Sequence, residues 1–198
     1  MKLHFVEIST KEKIIEVGKL EFFEKGYEKA SLRNICCKAK VTTGALYFSF
    51  KSKADLFDSI VSRTVIELNM LIEDMIQREL MYENTGEENE QELMKFLWKN
   101  RYEVLILLDK STGTKYQGFK ENFIQKIENA FILFFQKLKS PINIDLIHIL
   151  VSMKIQGYIE ILLGGYTMKK SIQLAALIGC YSEGGFQKII KKSEKCEA

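Results

Sequence analysis

The stretch Val41-Thr-Thr-Gly-Ala-Leu-Tyr-Phe-Ser-Phe-Lys-Ser-Lys-Ala-Asp-Leu-Phe57 leaves room for one short helix before another begins, and that spacing restricts what can surround it. Thr42 is a good N-cap, because its hydroxyl can accept from an amide of the first turn. The helix it opens holds only Thr43 to about Ser49, far below the length at which an isolated helix persists in water. Neighbours must hold it. Just upstream, Ser31 can cap a second short helix in which Leu32, Ile35, Cys36 and Ala39 recur at helical spacing and form one buried stripe. Two short capped helices in tandem make a helix-turn-helix unit. Before them a helix is expected from about Thr10 to Lys25, with Ile14, Ile15, Gly18 and Phe22 on one face and Gly26 as its stop. After them Ser52 can cap a helix reaching about Leu80, broadly apolar through Leu56, Phe57, Ile60, Leu68, Leu71, Ile72, Met75 and Ile76.

The chain of 198 residues contains one proline, and its apolar residues fall at helical spacing rather than in alternation, so the fold class is all-α. Further helices are expected at about Gln91 to Asp109, Phe119 to Lys139, Asn143 to Leu163 and Lys169 to Lys191. Polar Glu83 to Glu90 and Lys110 to Gly118 read as loops, Gly164 and Gly165 as a break, and Lys191 to Ala198 as a frayed tail. No signal peptide is read at the start, and the apolar runs look too short to cross a membrane, which places the protein in the cytoplasm. Cys36, Cys37, Cys180 and Cys196 lack metal-ligand spacing and read as reduced thiols.

Charge is distributed unevenly. Residues 1–56 carry 11 Lys and Arg against 7 Asp and Glu, whereas residues 57–198 carry 18 against 19. Between Lys29 and Lys53 every charge is basic: Lys29, Arg33, Lys38, Lys40, Lys51 and Lys53. Such a stretch suits phosphate, although any solvated helix face can be rich in lysine.

The segment Phe22-Phe-Glu-Lys-Gly-Tyr-Glu-Lys-Ala-Ser-Leu-Arg-Asn-Ile35, followed by Val41 to Phe57, resembles the N-terminal DNA-binding domain of the tetracycline-repressor (TetR) family of bacterial regulators. The resemblance covers roughly a quarter of the chain. It implies an N-terminal helix-turn-helix domain (residues 1–52) and a C-terminal helical domain for effector binding and dimerisation (residues 53–198). A recognition helix presents its first residues to base edges in the major groove, which singles out Thr42, Thr43 and Ala45, with Gly44 allowing close approach. By resemblance Tyr47 and Lys53 contact backbone phosphates; Phe48 is placed to pack on sugars or bases, and Ser31 and Arg33 to clamp phosphate. Each position also has a plainer reading: Thr42 and Ser31 as caps only, Tyr47 as a half-buried core residue, Lys53 as a solvated charge. Leu46 and Phe50 are assigned to the core. The chain departs from the family pattern at Lys40, where glycine is common and a left-handed residue costs on the order of 1 kcal/mol, so a differently shaped turn is open there. Thr43, Phe48 and Ser49 also differ from frequent family residues, and Asn34 leaves the capping box begun by Ser31 incomplete.

Residues 91–198 contain no catalytic arrangement, phosphate-cradling loop or metal cluster, so neither enzyme, cofactor nor metal is expected. Met94, Trp98, Tyr102, Leu105, Tyr116, Phe123, Phe134, Met153 and Tyr158 are candidates to line a cavity for a small apolar or aromatic effector, with Gln156 and Glu160 as polar contacts. The same side chains also read as ordinary core. By resemblance the last two long helices pair with their copies in a homodimer, which would read a near-palindromic double-stranded operator. The function expected is a transcriptional regulator of the repressor type, released by its effector. The alternative is a DNA-binding regulator controlled by a protein partner, with the C-terminal domain used for dimerisation and docking.

Overall fold

A computed structural model describes residues 9–81, 86–137 and 143–196, with side chains described up to residue 189. Among the described residues all regular structure is helical: α1 (Thr10–Lys29), α2 (Leu32–Ala39), α3 (Thr43–Ser49), α4 (Lys53–Met81), α5 (Gly86–Lys99), α6 (Arg101–Asp109), α7 (Phe119–Lys137), α8 (Ile144–Leu163) and α9 (Met168–Cys196). The chain divides into two compact units. The first comprises residues 1–66 and 102–119, and the second residues 67–101 and 120–198. The first unit therefore takes in the start of α4 and a returning segment, in addition to the three N-terminal helices.

α1 opens with a capping box in which the Ser9 hydroxyl accepts from Glu12 N–H at 3.2 Å and the Glu12 carboxylate accepts from Ser9 N–H at 2.8 Å. Its helical run is interrupted at Gly26 (φ 72°, ψ 165°), a conformation that strains any residue with a Cβ. A Cβ on Gly18 would lie 3.3 Å from both Leu56 and Ile60, so that glycine permits α1 and α4 to pack closely. The core of this unit joins Ile14, Phe22, Ile35, Leu46, Phe50 and Phe57 with Ile106 and Leu107 of α6. Phe57 lies at its centre, meeting Phe22 and Tyr27 edge-on at 5.0 and 5.3 Å, and such pairs contribute roughly 0.5–1.5 kcal/mol each.

Residues 110–118 form turns with no helix. Tyr27 N–H donates to the Lys110 carbonyl at 2.9 Å, while Tyr116 O–H and Lys115 Nζ both reach the Asp58 carboxylate. Ser111 is buried and its hydroxyl donates to the Leu107 and Tyr116 carbonyls.

In the second unit α5, α8 and α9 pack together. Gly179 of α9 faces Glu90 of α5, whose carboxylate is ion-paired with Lys154 of α8. Burial pushes the Glu90 carboxyl above the usual carboxylate range, although Lys154 opposes the shift. Phe186 of α9 packs between Phe131 and Phe135 of α7.

Four expectations need correction. The acidic segment thought to form a loop up to Glu90 is helical from Gly86, because Glu87 and Glu88 fall in a first turn, where the helix dipole favours negative charge; residues 82–85 lie outside the described residues. The helix expected from Gln91 to Asp109 is broken at Asn100, whose amide and side chain both donate to the Phe96 carbonyl. The tail continues α9 to Cys196 instead of fraying at Lys191. Finally, α8 is long and apolar enough by composition to cross a membrane, with a mean hydropathy of 1.5, a test that the core helix of a globular unit also passes. Ile147, Val151, Ile155, Tyr158, Ile161 and Leu162 give α8 one buried face.

The turn between α2 and α3 keeps the left-handed form despite its lysine: Lys40 has φ 56° and ψ 44°. Val41 N–H donates to the Cys36 carbonyl at 3.0 Å and Lys40 N–H to Cys37 at 3.2 Å, the paired bonds of a Schellman ending. Val41 then packs against the core, which helps to hold the strained residue in place. Lys40→Gly is expected to raise stability by up to about 1 kcal/mol, measured by urea unfolding; a decrease would show that Lys40 is unstrained.

Candidate nucleic-acid interface

The geometry of α3 follows from two anchors and a cap. Leu46 and Phe50 are fully buried, and the Thr42 hydroxyl accepts from Ala45 N–H at 3.1 Å. With one face pinned down, the opposite face must point outward: Thr42, Thr43 and Gly44 are exposed, Tyr47 is 54% exposed, and Phe48 is 95% exposed. Ala45 and Ser49 are intermediate, and the Ser49 hydroxyl donates back to the Ala45 carbonyl. Among the described residues a Cβ on Gly44 would meet only Thr42 Oγ1, at 3.8 Å, so no packing contact there calls for glycine.

α2 is attached to α1 by a buried carboxylate that has no counterpart among the residues singled out from the sequence. Glu21 of α1 is 1% exposed, and it accepts from Ser31 N–H and Asn34 Nδ2 at 3.5 Å each and from Lys38 Nζ at 3.0 Å. The Ser31 hydroxyl caps the helix by accepting from Asn34 N–H at 3.4 Å. Asn34 cannot supply the carboxylate of a capping box, and Glu21 supplies it from another helix. Burial pushes the Glu21 carboxyl up, but Lys38, Asn34 and Ser31 together outweigh it and hold the group below the usual range. The signal was present in the sequence, since Glu21 stands in the buried stripe of α1 between Gly18 and Phe22.

The basic residues between Lys29 and Lys53 separate into two groups. Arg33, Lys40 and Lys51 are exposed, as is Lys29. Lys38 is half-exposed but ion-paired with Glu21, and it lies 3.7 Å from Glu24. Lys53 is partly buried: its Nζ donates to the Glu28 carbonyl at 3.0 Å and sits 4.8 Å above the Tyr27 ring. Burial lowers the Lys53 pKa from its ordinary value, against the pull of Glu28. An ammonium has three donors, so two remain for another acceptor. Ser52 caps α4 by accepting from Asp55 N–H, and Asp55 in turn accepts from Lys51 N–H at 2.8 Å.

The residues expected to hold an effector belong to both units. Tyr102 and Tyr116 belong to the first unit, where Tyr102 meets Phe23 edge-on at 5.1 Å and Tyr116 bonds Asp58. Met94, Phe123 and Tyr158 are buried in the second unit. Trp98 and Phe134 are partly buried, and Trp98 Nε1 donates to the Tyr166 carbonyl at 2.9 Å. Met153 and Gln156 lie exposed on α8, with Gln156 bonded to Glu160. The Tyr158 hydroxyl and one Glu90 carboxylate oxygen are buried with no hydrogen-bond partner among the described residues.

Residues 14–60 match the family model described as "Bacterial regulatory proteins, tetR family". The chain is 43% identical over 54 residues to the HTH-type transcriptional repressor BepR of Brucella suis biovar 1 (strain 1330), a match covering 27% of this chain and 26% of that protein. The chain thus spans about a quarter to a third of the length of the curated relatives it matches. Over a longer stretch it is 30% identical to a transcriptional regulator of the TerR/AcrR family from Aquifex aeolicus VF5, with a TM-score of 0.52, covering 91% of this chain and 99% of that one. CprB from Streptomyces coelicolor, solved in complex with its biological operator sequence, shares the fold at 20% identity and a TM-score of 0.54, covering 86% of this chain and 97% of that one.

Glu21 generates a pH dependence. Its folded pKa lies below the unfolded value of about 4.3, so its contribution is complete above that value and lost as pH falls through the folded pKa. Glu21→Gln is expected to lower stability by about 1–3 kcal/mol at pH 7, with the gap to the unsubstituted protein closing on acidification. An equal gap at both ends of a pH series of urea unfolding curves would remove the carboxylate from this role.

Proposed function

The chain belongs to the TetR family of bacterial regulatory proteins, and from that premise we propose that it is a DNA-binding transcriptional repressor that acts as a homodimer in the cytoplasm. The observation that carries this reading is the outward face of α3, where small, hydroxylic and aromatic groups stand free on a helix pinned from behind by Leu46 and Phe50. In a helix-turn-helix the second short helix enters the major groove. Arg33 of α2 and Lys40 and Lys51, in the segments just before and after α3, are exposed and suit backbone phosphates. Tyr47 O–H is a phosphate donor in this arrangement. Lys53 joins it with the donors left over from its bond to Glu28, and Ser31 adds a hydroxyl.

The dimer proposal is supported by apolar groups exposed on α8 and α9. Ile149 and Met153 stand out on α8, and on α9 Leu177 and Tyr181 are 67% and 74% exposed. A leucine and a tyrosine one turn apart and exposed to this degree on α9 suit burial against an identical surface. A twofold dimer would then present two copies of α3 to a near-palindromic operator.

Control by a small apolar or aromatic effector in the second unit is the remaining element. Its support is two buried polar atoms with no hydrogen-bond partner among the described residues, the Tyr158 hydroxyl and one Glu90 carboxylate oxygen. An effector must bind the DNA-free state more tightly than the DNA-bound state, since equal affinity shifts nothing.

Two measurements test these claims on a duplex that the protein itself selects from a random pool. Arg33→Ala is expected to weaken binding across sequences and to reduce the slope of log affinity against log salt by about 0.9 for each phosphate that the variant no longer neutralises; an unchanged slope would take Arg33 out of the interface, and failure to retain any duplex would overturn DNA binding. Leu177→Asp is expected to give monomers in analytical ultracentrifugation and to lose operator affinity. A dimer that survives this change places the twofold contact elsewhere.

A further inference from the structure

We propose that α3 reads its operator chiefly through thymine C5-methyl groups, and that Phe48 is the residue that sets this specificity. The inference rests on the reading that α3 enters the major groove. Direct discrimination of guanine takes Arg or Lys on O6 and N7, adenine takes Asn or Gln, and cytosine takes Asp or Glu. Thr43-Gly-Ala-Leu-Tyr-Phe-Ser49 contains none of these six residue types. The helix also presents the Thr43 hydroxyl, which can bond any base edge, and Tyr47, a donor to phosphate; the discriminating groups left are the methyl groups of Thr43 and Ala45 and the ring of Phe48, and thymine alone offers a methyl group in the major groove.

The placement of Phe48 fits this role. Gly44 and Phe48 are four residues apart and therefore share a face of the helix. The bare backbone at Gly44 makes a notch, since a side chain there would touch little but Thr42. One turn further on, the Phe48 ring is almost wholly in water and makes no contribution to the core. A helix seated deeply at Gly44 brings that ring down onto the base edges. Arg33, Lys40 and Lys51 neutralise phosphates around the groove, and such contacts position the protein without carrying sequence information.

The probe is the selected operator duplex, made once with thymine and again with uracil at each thymine of one half-site, which deletes methyl groups and leaves every hydrogen-bonding group in place. Uracil at a contacted position is expected to weaken binding about fourfold, the factor that follows from roughly 0.8 kcal/mol for one buried methyl-sized group. Phe48→Ala should weaken binding to the thymine duplex and abolish the difference between thymine and uracil at its position. Equal affinity for the two duplexes overturns methyl readout, and full discrimination retained by Phe48→Ala overturns the assignment to Phe48. A duplex with 7-deazaguanine, which lacks the N7 acceptor, should bind normally; its failure to bind, with uracil tolerated, would point to guanine read by a cation and overturn the inference. Absence of binding to any duplex would count against the DNA-binding reading itself, a result distinct from all of these.

Discussion

The burial of two side chains, Leu46 and Phe50, underlies everything else in the N-terminal unit. A helix as short as α3 has too few internal hydrogen bonds to offset the cost of its nucleation, so its order is borrowed from the core beneath it. Burying a leucine and a phenylalanine contributes roughly 1.5–3 kcal/mol each. The orientation of the outward face is a by-product of the same packing. Once positions 46 and 50 point inward, positions 44 and 48 must point out, and the exposed Phe48 ring is a direct consequence of the buried Phe50 ring.

The second constraint is electrostatic. A carboxylate taken out of water is costly unless charge and hydrogen bonds compensate it. Glu21 meets that condition by accepting from one ammonium, one side-chain amide and one backbone N–H. Because these donors lie at the start and the end of α2, a single buried oxygen pair fixes that helix lengthwise against α1. The strained Lys40 then lies between two fixed points, the end of α2 and the buried anchors of α3, and the chain has little freedom to relax it.

The parts of this fold legible in the sequence were those governed by local rules. Caps at Thr42, Ser31 and Ser52, the stop at Gly26, the stripe of α2 and the inward direction of Leu46 and Phe50 follow from hydroxyl placement and helical period. Contacts between residues far apart in sequence were not legible. No periodicity announces that Tyr116 bonds Asp58, that Tyr102 packs on Phe23, or that Lys53 gives a proton donor to the Glu28 carbonyl. Glu90 is hidden for a related reason: an acidic run looks like loop in sequence, and nothing local shows that Lys154 lies opposite one of its members. Lys40 shows the converse case, in which a correct local cost was overruled by packing of the next residue.

The returning segment has a consequence for synthesis. Ile106 and Leu107 complete a hydrophobic core whose other members lie before residue 66, and the intervening residues are built into a different unit. As the chain leaves the ribosome, the helix-turn-helix emerges before Ile106 and Leu107 and lacks part of its floor until some forty further residues have followed. Its final packing must wait for a segment from beyond its own boundary. A chain interrupted between the two segments would carry the recognition helix over an incomplete core.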